Sequence, residues 1–550
     1  MIKRLVVLAV IACIPILVFA QTAPGKTNMF GWVVPEKTLE INFYQADRGD
    51  QAQHDRDTQQ IRDFMLKEFN VKLVKNVSDV DTTEKLNLML ASGNYPKIIM
   101  AMSADTVSQW AAQGHLYNMA PDVEKTYKGI KSTLGYLYGM YLTDKKELFG
   151  LPRGWGLLPI PDQSAHIRWD WYQEMGSPKI ATPDDYYNVI KKMVAAHPKN
   201  ANGEKVYGIS WSTDQVKVAD LMAIWGLKDG YKEDAQNNLS HWVNTPEGLQ
   251  AVLWLNKFYR EGLMDPEAFV NKYDNWKAKF SAERIVGHIG GWWQSWNAGH
   301  EIWSKSPGWT DDKRYVQISI KDPAAKVAYF TPKNTLGWNY TVITNKATAQ
   351  DRADYMRFFE WAISPMAVRI FGWGVPNLTD ASDGKASFWT TDGKNWEFND
   401  QMKKIIMAGA YDQVPNWNLR GTGEFFITQG QALTKDAKPS TVWADQNFNS
   451  DPAPEAKWRV LMNKNLEGTE FDFTAFEAIK FLPENVLTTK RQQIKDAEYT
   501  GFVKAVQSNT VAEATANFNA LKATLNKLGL ADLEKFQNVE YKKNLAKMKL

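Results

Sequence analysis

Tryptophans in glycine- or proline-rich turns are the residues of this sequence whose type and position most clearly indicate a chemistry. The 550-residue chain has 23 Trp and 21 Tyr, more than hydrophobic cores require, because a buried indole N–H needs a partner. An indole face packs against the apolar C–H face of a sugar ring, and a few polar groups then orient the hydroxyls. Six such residues follow predicted strands: Trp155, Trp292, Trp293, Trp338, Trp373 and Trp417.

Three further residues are candidates for ligand binding or for core packing in equal measure. Trp225 precedes a glycine after an apolar stretch, and Tyr44 and Gln45 lie at the end of the first predicted strand. Tryptophans at helical spacing, such as Trp254 and Trp361, favour a core position instead.

Arginines supply the polar half of the expected site. Arg168 and Arg420 each offer a planar fork of donors that fits sugar hydroxyls, and Arg153, Arg168 and Arg420 could equally meet a uronate carboxylate. For Arg168 the structural alternative is an ion pair with Asp170 that fixes the following turn.

The first twenty residues predict a cleaved secretory signal peptide. Lys3 and Arg4 precede an apolar run, and Ala20 ends a small-residue cleavage site. A lipoprotein cleavage box ending at Cys13 is the alternative, but it would leave an apolar mature terminus. Cleavage lowers the formal net charge from +3 to about +1 and removes the one cysteine, which disfavours nucleic-acid binding and excludes thiol catalysis and disulfides.

The periodicity predicts an α/β protein of two or three domains. Strands at 39–45, 71–77 and 97–102 alternate with helices, an order that favours a mainly parallel sheet. A helix with Thr182 as its N-cap, a helix starting at Thr245, a strand at 284–289, a strand at 340–344 and a helix at 351–363 follow. The last third is mostly helical and includes a helix at 511–528.

Four segments resemble a known family. They cover residues 86–100, 166–210, 259–269 and 516–536, and the most specific piece is Arg168-Trp169-Asp170-Trp171, with Met175-Gly176, a Pro-bearing helix start and an Asn-Gly turn behind it. In this order they resemble extracellular solute-binding proteins of family 1, in the long oligosaccharide-binding, lipopolysaccharide- or alginate-oligosaccharide-like branch of ABC importer substrate-binding proteins.

The resemblance implies a periplasmic binding protein type II fold. Two lobes with hinge crossings would enclose the solute, and the C-terminal part would be rich in helix. We expect crossings near residues 150–155, 329–338 and 373–376. The N-terminal lobe then comprises 21–155 and 330–375, and the C-terminal lobe 156–329 and 376–550.

The same resemblance implies a monomeric periplasmic receptor, not an enzyme, that captures an oligosaccharide and delivers it to the transmembrane permease subunits, with no cofactor. Many long members of the family have a calcium loop where this chain reads HPKNANGEKVYG (197–208). Here His197 or Pro198 replaces the first carboxylate, and Val206 and Tyr207 occupy the last two positions. Since calcium needs several oxygen ligands, we expect no metal there.

Two other functions fit parts of the sequence. A secreted glycoside hydrolase would need two facing carboxylates, for which Asp170 with Glu301 or Glu424 are candidates. However, the motifs G-x-S-x-G and H-E-x-x-H and a phosphate-binding glycine loop are missing from the sequence. A surface glycan-binding scaffold is the third alternative, and it should be almost wholly helical.

Overall fold

The computed structural model describes residues 22–48, 51–78, 82–153, 155–157, 163–213, 217–332, 334–337, 339–377, 387, 389–400, 403, 454–481 and 485–548. In chain order the strands are β1 (Leu39–Arg48), β2 (Val71–Ser78), β3 (Ile98–Met102), β4 (Leu151–Arg153), β5 (Gly156–Leu157), β6 (Gln163–Arg168), β7 (Tyr207–Ile209), β8 (Tyr231–Glu233), β9 (Leu239–His241), β10 (Ile285–Gly291), β11 (Tyr315–Ile318), β12 (Thr331–Pro332), β13 (Asn334–Thr335), β14 (Asn339–Ile343), β15 (Trp389–Thr391), β16 (Trp396–Phe398) and β17 (Glu470–Phe471).

The α-helices of these residues complete the inventory, together with short 3-10 turns and one π turn at Trp296–His300. They are α1 (Gln51–Phe69), α2 (Thr82–Ser92), α3 (Ala104–Ala112), α4 (Ala120–Lys125), α5 (Lys128–Leu134), α6 (Tyr138–Tyr141), α7 (Trp169–Glu174), α8 (Pro183–Ala196), α9 (Val218–Met222), α10 (Pro246–Arg260), α11 (Tyr273–Ser281), α12 (Trp292–Ser295), α13 (Glu301–Trp303), α14 (Ala349–Ala362), α15 (Pro365–Trp373), α16 (Pro454–Asn465), α17 (Thr474–Glu477), α18 (Val486–Val506), α19 (Val511–Leu528) and α20 (Leu530–Met548). Among the described helices, none is long and apolar enough to cross a membrane.

The N-terminal lobe is built on a five-stranded sheet in the order β2-β1-β3-β14-β4. The first three strands are parallel, as the alternation of strands and helices predicts. β14 is antiparallel to both of its neighbours, and this insertion of a late strand has no signal in the local pattern. Helices cover the sheet, and α14 and α15 belong to the same core as β1 and β2.

The C-terminal lobe has a four-stranded sheet in the order β11-β6-β10-β7. β6 is antiparallel to β11 and β10, whereas β7 is parallel to β10. The core joins these strands to α8, α10, α18 and α19. Helix starts follow the predicted chemistry: Thr182 and Asp185 form a reciprocal capping box at α8, and the Thr245 hydroxyl accepts the Gly248 N–H at α10.

Two chain crossings connect the lobes side by side. β5 directly follows the crossing predicted at 150–155, and β13 lies within the one predicted at 329–338. The two strands pair with each other in antiparallel orientation. A second contact at the crossing is made by β12, which pairs with β17 from the C-terminal part of the chain.

The predicted third crossing at 373–376 and the lobe boundary at 375 do not agree with the packing of the next segment. Trp389 and Phe398 of the hairpin β15–β16 lie in the N-terminal lobe core. The Trp389 indole N–H donates to the Gly374 carbonyl at 2.8 Å, so the hairpin folds back on the segment that was expected to leave the lobe. Within the described residues the chain therefore stays in the N-terminal lobe as far as Phe398.

Candidate functional site

The two crossings define which edges of the sheets face each other. In the N-terminal lobe, β4 ends at Arg153, opposite Asn339 at the start of β14. In the C-terminal lobe, β6 starts at Gln163, opposite Gly291 at the end of β10. Both crossings therefore connect the carboxyl edge of the N-terminal sheet with the edge where β10 ends. Open α/β sheets bind ligands beyond the carboxyl ends of their strands, so the candidate site is the cleft between these edges.

The end of β10 continues directly into a short run of tryptophans, which we call the aromatic helix (residues 292–303). It comprises α12, the π turn and α13. Trp292 is 40 % exposed, the largest exposure of the four large aromatic side chains in this helix. Trp293 and Trp296 are partly buried, and Trp296 lies on the His300 ring with 4.0 Å between centroids. An exposed indole at the cleft edge is a suitable platform for a sugar ring.

Two glycines allow the aromatic helix to start where it does. The Gly291 N–H donates to Gln294 Oε1 at 3.0 Å, which satisfies one of the unpaired donors at the start of the helix. A Cβ on Gly290 would collide with the same side-chain oxygen, and a Cβ on Gly291 would lie 2.6 Å from Trp293 Nε1. The Gly-Gly pair is thus needed because side chains pass close to the backbone.

The sequence predicts Trp292 and Trp293 as ligand residues, and this remains a prediction; it does not single out Trp296 and Gln294, which lie in the same helical segment. The spacing of Trp292 and Trp296 is a signal that could have identified the second, because residues four apart are neighbours on a helix. A π turn is often found at functional sites, but the sequence alone gave no sign of it.

Several other predicted ligand residues are packed into the lobes. Trp155 is 1 % exposed in the N-terminal core, and Trp225 is 4 % exposed in the C-terminal core, where it meets Trp254 edge to face at 5.7 Å. Their burial argues against the predicted stacking role.

The remaining candidates have mixed positions. Tyr44 is 8 % exposed and packs in a small core with Tyr95 and Trp110, while Gln45 is partly buried. Trp373 is the last residue of α15. Three predicted residues lie outside the described part of the chain, namely Trp338, Trp417 and Arg420.

Arg168 is a structural centre of the C-terminal lobe. Its side chain is 2 % exposed, and its fork donates to both oxygens of Asp170 at 2.6 and 2.7 Å and to Glu283 at 2.9 Å. Its guanidinium lies over the rings of Trp171 and Trp303 at 4.3 and 4.6 Å. Burial by itself lowers the pKa of Arg168, but the hydrogen bond and charge of Asp170 raise it above the ordinary value.

This cluster is remote from the cleft edge in the sheet. Arg168 ends β6 opposite Tyr315, whereas Gln163 at the other end of the strand faces Gly291. The ion pair with Asp170 is therefore the role that the contacts support, and sugar binding by Arg168 has no geometric support.

The turn at residues 197–206 is closed by side-chain hydrogen bonds. Asn200 Oδ1 accepts the backbone N–H groups of Asn202 and Glu204 at 3.0 and 2.9 Å. Asn200 Nδ2 donates to the Ala282 carbonyl at 2.7 Å, and Arg284 lies 3.5 Å from Glu204. Within the described residues, no group of three or more His, Cys, Asp or Glu has the arrangement of a metal site.

A pocket of about 420 Å³ lies in the C-terminal lobe beside the crossing. Lys228, Glu233, Tyr329 and Tyr541 are among its lining residues. Lys228 forms an ion pair with Glu233 at 2.6 Å, and the Tyr541 hydroxyl donates to the same carboxylate at 2.9 Å. These polar groups already satisfy one another, so the pocket is a weaker candidate than the cleft edge.

Comparison with solved structures identifies the architecture. The Streptococcus pneumoniae ABC-transporter substrate-binding protein FusA, as an EF-hand mutant in complex with fructo-nystose, matches with a TM-score of 0.66 and 16% identity over 92% of this chain and 99% of that one. The chain has the fold of solute-binding proteins. The alginate-binding protein AlgQ2 without calcium ion (TM-score 0.61, 17% identity, 93% and 99% coverage) and an HMO-binding, ABC-transporter-associated solute-binding protein from Bifidobacterium longum infantis (0.60, 15%, 92% and 99%) agree with this. The predicted α/β type II architecture is thereby confirmed.

Curated relatives are distant. The polygalacturonan/rhamnogalacturonan-binding protein YtcQ of Bacillus subtilis (strain 168) is 20% identical over 421 residues, which is 76% of this chain and 80% of that protein. Lipoprotein LipO of the same organism is 26% identical over 217 residues, 36% of this chain and 40% of that protein. No family model matches the sequence.

Proposed function

We propose that this protein is the substrate-binding component of an ABC transporter, which captures an oligosaccharide between its lobes and delivers it to the membrane permease. The observation that carries the proposal is the exposed indole of Trp292 at the end of β10, on the edge of the C-terminal sheet that faces the crossings. Closure of the lobes about the crossings would bring the N-terminal sheet edge onto the other face of a sugar bound there.

The class of ligand follows from the ring chemistry and from the similar proteins. FusA was solved in complex with fructo-nystose, AlgQ2 is an alginate-binding protein, and YtcQ is a polygalacturonan/rhamnogalacturonan-binding protein. We therefore propose an oligosaccharide ligand, and a panel of neutral and acidic sugars determines its charge.

In the glycoside hydrolase alternative, Asp170 is poorly suited to be one of the two catalytic carboxylates. Both oxygens of Asp170 accept hydrogen bonds from Arg168, and the pair lies at the far end of β6 from the cleft edge. A glycosidase acid must exchange a proton with the glycosidic oxygen, which a carboxylate held in this ion pair is poorly placed to do. Glu424, the other partner considered, lies outside the described residues. The almost wholly helical scaffold is contradicted by the five-stranded and four-stranded sheets of the two lobes.

The location of the protein follows from the proposed role. A receptor for an ABC importer works outside the cytoplasmic membrane, in the periplasm or at the cell surface. We propose that residues 1–20 are a cleaved signal peptide and that the mature protein is a monomer. Because the relative LipO is a lipoprotein, lipid anchoring through Cys13 is the alternative. Mass spectrometry of the mature N-terminus distinguishes the cleaved soluble form from the lipid-anchored form.

A thermal-shift screen with product analysis tests the proposal. The panel consists of kestose, an alginate trisaccharide and a galacturonate trisaccharide. At about 100 times its dissociation constant, a ligand adds roughly 2.7 kcal/mol to the free energy of unfolding, which gives a clear shift in Tm. Saturable stabilisation by at least one sugar that is recovered intact is expected. Cleavage of the sugar, or no shift with any oligosaccharide in a wider panel, would refute the proposal.

A further inference from the structure

His166 is a fully buried imidazole that contacts both ends of the junction between β10 and the aromatic helix. It lies on β6 and is 1 % exposed. Its Nε2 is 3.1 Å from the Gly290 carbonyl oxygen, and its Nδ1 is 3.1 Å from the Ser295 hydroxyl. Ser295 belongs to the same helical turn as Trp292, whose carbonyl is 3.3 Å from the Ser295 hydroxyl.

The partners fix the protonation state of the ring. Burial lowers the pKa of His166 to about 3, so the imidazole is neutral at physiological pH. The Gly290 carbonyl can only accept, and Nε2 therefore holds the proton; the Ser164 hydroxyl is a more distant neighbour of the same nitrogen, at 3.3 Å. The single Ser295 hydroxyl proton has two acceptors within reach, and His166 Nδ1 at 3.1 Å is closer than the Trp292 carbonyl at 3.3 Å, so we assign this proton to Nδ1. One ring thus donates to the end of the strand and accepts from the helix that follows.

A neighbouring histidine provides an internal comparison. His288 of β10 is opposite His166 in the sheet, is also 1 % exposed, and stacks on it with 4.2 Å between ring centroids. Its other ring neighbours are Trp276, Phe280 and Tyr315. Among the described residues, no hydrogen bond joins the His288 ring to Gly290 or to Ser295. Burial and stacking are therefore shared by the two rings, and only His166 is bonded to the aromatic helix.

We propose that His166 is a positioning residue for the oligosaccharide site, which fixes the face that Trp292 presents to the ligand by bonding the end of β10 to Ser295. This inference rests on the proposed function of the cleft. An indole platform contributes fully only if its orientation is set before the sugar arrives, because ordering it on binding would reduce affinity.

The test uses the full chain with H166Q and S295A, and H288F as the matched control. With the panel sugar that stabilises the wild type, H166Q and S295A should each weaken binding about five- to tenfold, the value of a hydrogen bond or slightly more. H288F should lower Tm yet keep Kd within about twofold of the wild type. In the Trp292→Ala variant, S295A should raise Kd by no more than about twofold. If Ser295 acts by orienting the Trp292 indole, its replacement has little further effect on affinity once the indole is gone.

A second readout needs no ligand. Amide hydrogen exchange of residues 291–303 in the free protein should become about tenfold faster in H166Q and S295A, relative to the exchange of the C-terminal core, and should be unchanged in H288F. Unchanged exchange in S295A, or an equal binding penalty with and without Trp292, would overturn the positioning role. If no sugar binds the wild type, the proposed function fails, and the exchange measurement by itself still decides whether His166 holds the aromatic helix.

Discussion

Replacement of Trp292 by alanine should weaken oligosaccharide binding without unfolding the protein. Trp292 is 40 % exposed, and for a side chain that can bury up to about 250 Å² this leaves about 100 Å² for a ligand to cover. At about 25 cal/mol per Å², full coverage contributes about 2.5 kcal/mol, or about seventyfold in Kd, and coverage of one ring face about half that energy, or nearly tenfold. The expected loss of affinity is therefore between about tenfold and about seventyfold.

The assay is titration calorimetry of wild type and variant with the sugar that stabilises the wild type. Trp169→Ala is the matched control, because Trp169 is a partly buried tryptophan of the same lobe that packs on Tyr172 and Trp458 beyond the opposite end of β6. It should lower Tm and leave Kd unchanged. If Trp292→Ala binds within about twofold of the wild type, or if both variants lose affinity equally, the assignment of the cleft edge is refuted.

Three other predictions follow from the contacts of the C-terminal lobe. Burial lowers the pKa of His166 to about 3 and that of His288 well below the ordinary 6.5. Below pH 6.5 the unfolded chain therefore binds more protons than the folded one. As the pH drops from 6.5 towards 3, the free energy of unfolding should fall by up to about 1.4 kcal/mol per pH unit for each of the two imidazoles. Urea denaturation should find a shallower fall in H288F, and an identical pH profile would contradict this. Arg168→Lys loses the fork that holds Asp170, which should cost about 3 kcal/mol of stability with Kd unchanged; an equal Tm would show that the fork is dispensable. Calcium or a chelator should leave Tm unchanged, because Asn200 closes the turn at residues 197–206, whereas tight calcium binding there by calorimetry would disprove this prediction.

Local chemistry made much of the fold predictable. The alternation of strands and helices identified β1 to β3 and their parallel order, and the Thr182 and Asp185 pair marked the start of α8 because a capping box depends only on neighbouring residues. The insertion of β14 between β3 and β4, and the return of Trp389 to the N-terminal core, depend on contacts between residues far apart in sequence. A window of ten or fifteen residues contains no information on such contacts.

The candidate site was predictable in chemistry but only in part by position. Trp155, Trp225 and Trp292 each have a glycine as a neighbour in the sequence, yet Trp155 and Trp225 are buried and Trp292 is exposed. The difference arises from which element packs against each indole, which the sequence does not reveal. For Arg168 the sequence allows either sugar binding or an ion pair with Asp170. In the structure its guanidinium donates to both oxygens of Asp170. The sequence did not predict a role for His166, because a single histidine in a strand forms no recognisable motif.

The cleft is expected to bind an oligosaccharide and to release it unchanged. The most direct measurement is calorimetric titration of the mature protein with each panel sugar, followed by chromatography of the recovered ligand. One sugar should bind at a single site per chain with a saturable heat, and it should be recovered at its original length. Shortened sugar would indicate an enzyme, and the absence of binding across neutral and acidic oligosaccharides would contradict the proposed receptor function.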